Sequence, residues 1–377
     1  MLTAVRAIVA KDLLISRRSP TYFALSVVVP VMFVLLYAFI VQTATTAPIG
    51  FAVKSHGPHT QQFMSAIKDM KSEDGDAWEI RTTDPAEAKA MYDSGETIGM
   101  VVLPPTFEAD VTAGKAHIDI VSDNINSDIT KNLQLRVDTA IGAVQKSIDP
   151  EHTVGVKAVD RWASPMSFTR YMGASLLMFA ILYASMVNTG SLVAREWEDR
   201  TAKAVVLSPR GLAPLIAGKW TAAFVQTCMT MVLVGLTLWL TLDYPLTRLG
   251  PGSWAPLLLM FLYGSALGVL LGVTLRRSLP LVPIAAVLAV VHFLVVGFES
   301  YMRGYAHAGL VEFLWQIARY WPVSGAIDQI RFTVEGQQPF YIGSQTHYLL
   351  WLSAVIIVLI GAATYVLRKR LRFAQGQ

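Results

Sequence analysis

Ionisable side chains are costly in apolar stretches, so chemistry in this chain must reside in its one dense charged run or in the few polar groups that survive elsewhere. The run is Arg195-Glu196-Trp197-Glu198-Asp199-Arg200-Thr201-Ala202-Lys203. Glu196 with Arg200, and Asp199 with Lys203, are i,i+4 pairs in the stabilising order, so the spacing predicts a short charged helix projecting into water and ending at Ser208-Pro209. Such a segment offers a rigid charged surface, with Arg195, Glu196 and Glu198 placed to enter a cleft of a partner protein. Taken alone it is a solvated extension of the apolar run before it. Gly218-Lys219 is the nearest approach to a phosphate loop, but Trp220 follows it and the upstream glycine is missing, so ATP is not expected to bind by that route. Neither H-E-x-x-H nor G-x-S-x-G occurs. The seven histidines show no ligand spacing on a shared helix face, and Cys228 is the only cysteine. No catalytic residue, cofactor site, metal site or intrachain disulfide is therefore expected.

Within the apolar stretches His292 stands nearly alone as an ionisable side chain, and Glu299 sits at the end of the same stretch. A histidine can stay neutral in lipid, so packing is weighed above function there. Gly264, Gly268 and Gly272 recur every four residues, a stripe that lets another helix approach closely. Packing within the same chain is the default partner and a dimer seam the alternative.

These groups need elements to hold them. The chain has 377 residues, of which 53% are hydrophobic and 15% charged, too apolar for two ordinary soluble domains. Six stretches reach the roughly 20 apolar residues that a bilayer core demands: 22–41, 168–193, 220–242, 254–275, 279–298 and 348–367. Cations cluster before the first, between the second and third, between the fourth and fifth, and after the sixth, which places both termini in the cytoplasm. The net charge of +4 thus reflects orientation and not nucleic-acid binding. The first stretch is too long for a cleavable signal and is read as a retained anchor, residues 21–42. Ahead of it, Leu2, Val5, Val9 and Leu13 mark residues 1–20 as a helix in the cytoplasmic interface with its stripe toward membrane lipid. Residues 368–377 form a basic cytoplasmic tail.

Residues 48–161 have the composition of a water-exposed domain. Strand-prone runs at 49–54, 78–82, 98–103 and 117–122 alternate with helical ones at 60–71, 85–93, 107–113 and 128–147, the pattern of an α/β sheet. Asp123, Asn124, Asn126 and Asp128 resemble a calcium loop in composition but lack its glycine and terminal glutamate, so a turn and helix cap is preferred. The fold class is a polytopic α-helical membrane protein of six transmembrane helices with an inserted α/β extracytoplasmic domain. Its helices two to six occupy 168–367, with a cytoplasmic connection at 194–219 and an outer-face segment at 299–346. In the latter, residues 310–321 are too short to span and too apolar for an open loop, so they lie in the outer leaflet with Trp315, Tyr320 and Trp321 at headgroup depth.

Read in order, several short motifs carry a resemblance. Lys11 leads to Ser19-Pro20, and Pro30 falls within the first stretch. Val101-Val102-Leu103-Pro104 with Phe107 lies in the insertion. The Glu196 to Thr201 run is followed by Leu207-Ser208-Pro209 and Gly218-Lys219. Gly297, Trp321-Pro322 and Ile330-Arg331 complete the set. Along essentially its whole length the chain resembles the permease subunits of ABC-2 exporters with a large extracytoplasmic insertion. The resemblance implies that Arg195, Glu196, Glu198, Arg200, Thr201, Leu207, Ser208 and Pro209 couple to an ABC ATPase subunit, which would bind the ATP and Mg. It implies a pathway shared with a second copy or a homologous permease, and His292, Glu299, Trp321, Pro322 and Arg331 as pathway or gate residues. The extracytoplasmic domain could also receive a periplasmic adaptor. The location implied is the bacterial inner membrane, and the cargo a drug, lipid or other hydrophobic compound. Two departures stand out: Arg200 precedes Thr201 where relatives often place glycine, and no proline follows Gly297 closely. The alternative is a membrane sensor whose extracytoplasmic domain binds a ligand, although the chain has no sizeable cytoplasmic output module.

Overall fold

The computed structural model describes residues 2–45, 47–72, 75–122, 128–148, 168–202, 213–302, 309–334 and 345–373. They form two compact units, one from residues 1–37 and 166–377, the other from 38–165.

The larger unit is helical. Helix α1 (Leu2–Arg18) is followed at once by α2 (Thr21–Thr45), whose first bond runs from the Ala24 amide to the Pro20 carbonyl. The later helices of this unit are α7 (Phe168–Glu198), α8 (Ala213–Leu242), α9 (Trp254–Leu275), α10 (Leu281–Met302), α11 (Gly309–Arg319), α12 (Ser324–Val334) and α13 (Gln345–Phe373). Five helices are long and apolar enough to cross a membrane, at Thr21–Ile40, Thr169–Glu198, Ala213–Leu242, Pro251–Leu275 and Thr346–Arg370. The stretch of α10 with described apolar side chains, Leu281–Val296, is shorter than these. In lipid every backbone polar group must be satisfied within its own helix, and unbroken helices of this length do so.

Helix α7 lies at the centre, buried along its whole apolar window and packed on α8, α9, α10 and α12. Small residues permit this: Ala174, Ala180, Ala184, Ser185, Thr189 and Ser191 are all buried. Phe33 of α2 stacks on Phe179 at 4.3 Å and meets Phe293 edge-on at 5.3 Å, so three helices share one aromatic contact. By contrast, α8 and α13 leave Val232, Leu240, Ile357 and Val358 exposed, the side chains expected against acyl chains.

The smaller unit is an α/β sandwich. Strands β1 (Ala47–Val53), β4 (Trp78–Thr82), β5 (Met100–Leu103) and β6 (Asp119–Val121) form a sheet of order β4-β1-β5-β6; the first two pairings are parallel and the last antiparallel. A small hairpin pairs β2 (Lys71–Ser72) with β3 (Gly75–Asp76). Alternation along the strands sends Ile49, Phe51, Val101 and Leu103 to one face, packed with Phe63 and Ile67 of α3 (Pro58–Lys68), Phe107 of α5 (Phe107–Thr112) and Val137 of α6 (Asp128–Ile148). Ala52 and Met100 face the other way, onto Ala88 of α4 (Pro85–Asp93). The elements follow the expected alternation of strand and helix. Helix α3 has no capping side chain of its own; instead Glu108 accepts from the amides of His59 and Thr60 and from the Thr60 hydroxyl. Partial desolvation, which raises the Glu108 carboxyl, is outweighed by these bonds, and its pKa falls below the ordinary value.

Candidate functional site

The charged run after the apolar part of α7 does not project freely. Glu196 turns inward: its Oε1 accepts from Lys219 Nζ at 2.7 Å and from Lys11 Nζ at 3.0 Å. Its Oε2 accepts from the Thr201 hydroxyl. Lys219 in turn donates to the Leu192 carbonyl at 2.7 Å and reaches Asp12 Oδ2 at 3.3 Å. The side chains of Asp12, Glu196 and Lys219 are 3%, 5% and 2% exposed, so this is a buried junction of two anions and one cation, with half-exposed Lys11 at its edge. It joins α1, α7 and α8. Burial pushes the Asp12 carboxyl up, and Lys219 and Lys11 oppose that push. Trp197, Ile216, Trp220 and Leu367 line a cavity of about 20 Å³ beside the Glu196–Lys219 pair, so apolar walls flank the charges.

Packing seats α1 on the same surface. A side chain on Gly218 would strike Ile8, Leu13 packs with Ala222 and Ala223, and Gln226 Nε2 donates to Ser16 Oγ at 2.7 Å. The stripe foreseen for lipid is thus largely a protein contact: Val5, Val9 and Leu13 are half-buried, and only Leu2 is open.

Helix α7 stops at Glu198 and helix resumes at Ala202; the end expected at Ser208-Pro209 lies outside the described residues. Arg200 adopts φ 56°, a left-handed conformation that favours glycine, at the position where the resemblance led to an expectation of glycine. The turn also breaks the expected i,i+4 pairing of Glu196 with Arg200. Lys203, Leu207, Ser208 and Pro209 lie outside the described residues. Arg195 donates to the Ser19 carbonyl at 3.3 Å and sits over the Tyr22 ring, tying α7 to the turn between α1 and α2. Glu198 accepts from the Ser278 amide at 2.7 Å and the Ser278 hydroxyl at 2.9 Å, reaching the turn before α10. Asp199 and Arg200 are exposed.

The glycine stripe packs inside the chain. A Cβ on Gly268 would lie 2.6 Å from the Met186 carbonyl, one on Gly272 would lie 2.5 Å from the Gly190 carbonyl, and one on Gly264 would strike Ser185. All three face α7.

The outer-face candidates fall into two clusters. His292 Nδ1 donates to the Leu288 carbonyl at 2.7 Å, which leaves Nε2 to accept from the Tyr263 hydroxyl at 3.0 Å in the neutral ring. Trp321 meets the imidazole edge-on at 5.4 Å, and Pro322 continues the turn into α12. Arg331, 2% exposed, donates to Asp328 Oδ1 at 2.7 Å and to Ser175 Oγ at 2.6 Å while lying 3.7 Å over the Tyr171 ring. It fastens α12 to α7. The side chain of Glu299 lies outside the described residues, as does the loop 123–127.

Sequence reasoning did not assign Asp12, Lys219, Ser278, Ser175 or Asp328 to a site. A signal was present for the first two, a carboxylate inside an apolar stripe and a lysine at the mouth of a span, each needing a partner. Among the described residues no group of three or more His, Cys, Asp or Glu side chains is arranged to hold a metal. The arrangement makes one end of the bundle a set of charged clasps between helices. The family model described as an ABC-2 family transporter protein matches residues 20–365. No curated protein and no solved structure matches the chain.

Proposed function

The chain belongs to the ABC-2 transporter family, and from that premise we propose that it is the membrane-spanning subunit of an ATP-driven exporter. It has five helices apolar and long enough to span, and α10 serves as the sixth, returning the chain to the side where it began. Both termini then lie in the cytoplasm of a cell bounded by a bacterial inner membrane, and the 38–165 unit lies outside it. A separate ABC ATPase binds ATP and Mg, and two permease chains, identical or homologous, line the pathway. The cargo is a drug, lipid or other hydrophobic compound.

One observation carries the coupling assignment: the segment that leaves α7 is anchored at its root by three independent clasps, at Arg195, Glu196 and Glu198. A push delivered to a loosely held loop dissipates in that loop. One delivered here reaches α1, α8 and α10 at once. Exposed Asp199 and Arg200 and the stretch through Leu207, Ser208 and Pro209 present the surface to the ATPase, while inward-turned Glu196 and Thr201 fix its position. Isolation of the tagged chain from membranes tests this reading. A nucleotide-hydrolysing ABC subunit should accompany it in equal number; isolation of the chain with a ligand-free receptor partner and no ATPase would favour the sensor alternative.

A further inference from the structure

We infer that Glu198 is a positioning residue that clasps the inner end of α7 to the start of α10, so that displacement of the ATPase-facing segment passes directly to α10. The inference rests on the exporter reading above. Both carboxylate oxygens are used by one residue: Oε1 takes the Ser278 amide proton at 2.7 Å and Oε2 the Ser278 hydroxyl proton at 2.9 Å. Ser278 is itself fully buried, and its hydroxyl also lies 3.5 Å from the Ser191 carbonyl, about two turns up α7 from Glu198. The connection from α9 to α10 leaves little slack. Arg276 closes α9 in the left-handed region at φ 56°, and the helix resumes at Leu281, whose side chain is fully buried against Gly190 of α7.

Such an arrangement separates the roles of neighbouring acids. Glu196 ties the root of the segment to α1 and α8, whereas Glu198 ties it to α10, which carries His292 and its contact with Trp321 near the middle of the helix. Glu198 is exposed, yet each of its oxygens is engaged by Ser278, so the role assigned to it is exerted through Ser278.

The test uses the full chain with its co-isolated ATPase in lipid nanodiscs, Cys228→Ala, and a reporter cysteine at Leu310, which is 70% exposed in the first turn of α11. The readout is the rate of maleimide labelling with and without ATP plus vanadate. In this parent, trapping should change labelling by at least about fivefold, the lower end of ordinary coupling between sites. E198A should keep the ATPase bound and lose most of that response. E198Q should restore it, because a glutamine amide accepts from the Ser278 N–H and donates to its hydroxyl oxygen. A full response in E198A overturns the clasp, as does failure of E198Q together with loss of the ATPase, which would mean that the charge docks on the partner. A parent with no ATPase or no nucleotide response overturns the exporter reading, and the inference with it.

Discussion

Replacing Lys219 by methionine removes the cation on which two buried carboxylates converge while keeping the side chain's length. The lysine holds Glu196 at 2.7 Å, the Leu192 carbonyl at 2.7 Å and Asp12 at 3.3 Å. Without it, only half-exposed Lys11 remains against two anions. Breaking a buried pair from one side costs about 3–5 kcal/mol, because the partner is left charged and desolvated. That cost falls on the docking of α1, whose other attachments are the packing of Ile8 and Leu13 on α8 and the Gln226–Ser16 bond. At about 1.4 kcal/mol per decade, amide exchange in α1 should accelerate by two to more than three orders of magnitude. Adding D12N returns the junction to neutrality, with Lys11 facing Glu196. The double variant K219M/D12N should then recover most of the loss, leaving about 1 kcal/mol for the lost lysine bond to the Leu192 carbonyl, which keeps its helical donor. Hydrogen exchange by mass spectrometry on the nanodisc-embedded chain reads both effects. Unchanged protection of α1 in K219M would refute the claim that the junction holds this helix, and a double variant no better than the single would refute the charge argument.

Other expectations follow from single sites. Because Arg200 sits at φ 56°, R200G should melt at or above the wild-type temperature, whereas β-branched R200V should lose about 1–2 kcal/mol; the opposite ranking would show that this turn is not left-handed. G268A should lower the melting temperature by forcing apart two backbones, at about 1–3 kcal/mol, while G361A, whose added Cβ meets nothing within 4 Å, serves as the neutral control. In the α/β unit the depressed Glu108 pKa means that its capping stability is complete above about pH 4.3 and is lost as pH falls through the folded value. Exchange protection over residues 58–68 should accordingly be weaker in E108Q than in wild type at pH 7, and the gap should narrow as pH falls through the folded value; a gap that does not narrow at any acid pH would contradict the cap.

Helix and strand positions were legible because each obeys a local rule. Apolar runs of span length became α2, α7, α8, α9 and α13, and the alternation in the insertion became a sheet with helices against it. Less legible was which charges turn inward. Glu196 has a tempting neighbour in Arg200 on the same helix face, yet it pairs with Lys11, 185 positions away, because the α7 helix ends before Arg200 and the left-handed turn carries that side chain off. The glycine that the resemblance led one to expect before Thr201 was a clue, since glycine is the residue that takes positive φ without strain. Glycines 264, 268 and 272 announced a close helix contact, but a stripe of small residues does not name its partner; the carbonyls of Met186 and Gly190 do. Arg331 was marked only by resemblance, although Asp328 three residues earlier offers an i,i+3 pair and Ser175 completes the set across helices.

In the proposed exporter, energy enters through the segment that leaves α7. Photo-crosslinking from an unnatural residue at Arg200, in membranes that contain the whole assembly, tests this most directly. The expected product is a covalent adduct with an ABC ATPase, formed from position 200 and not from Leu135, an exposed residue of the α/β unit. Absence of an ATPase adduct at position 200, or its appearance at position 135, would contradict both the coupling assignment and the proposed orientation of the chain.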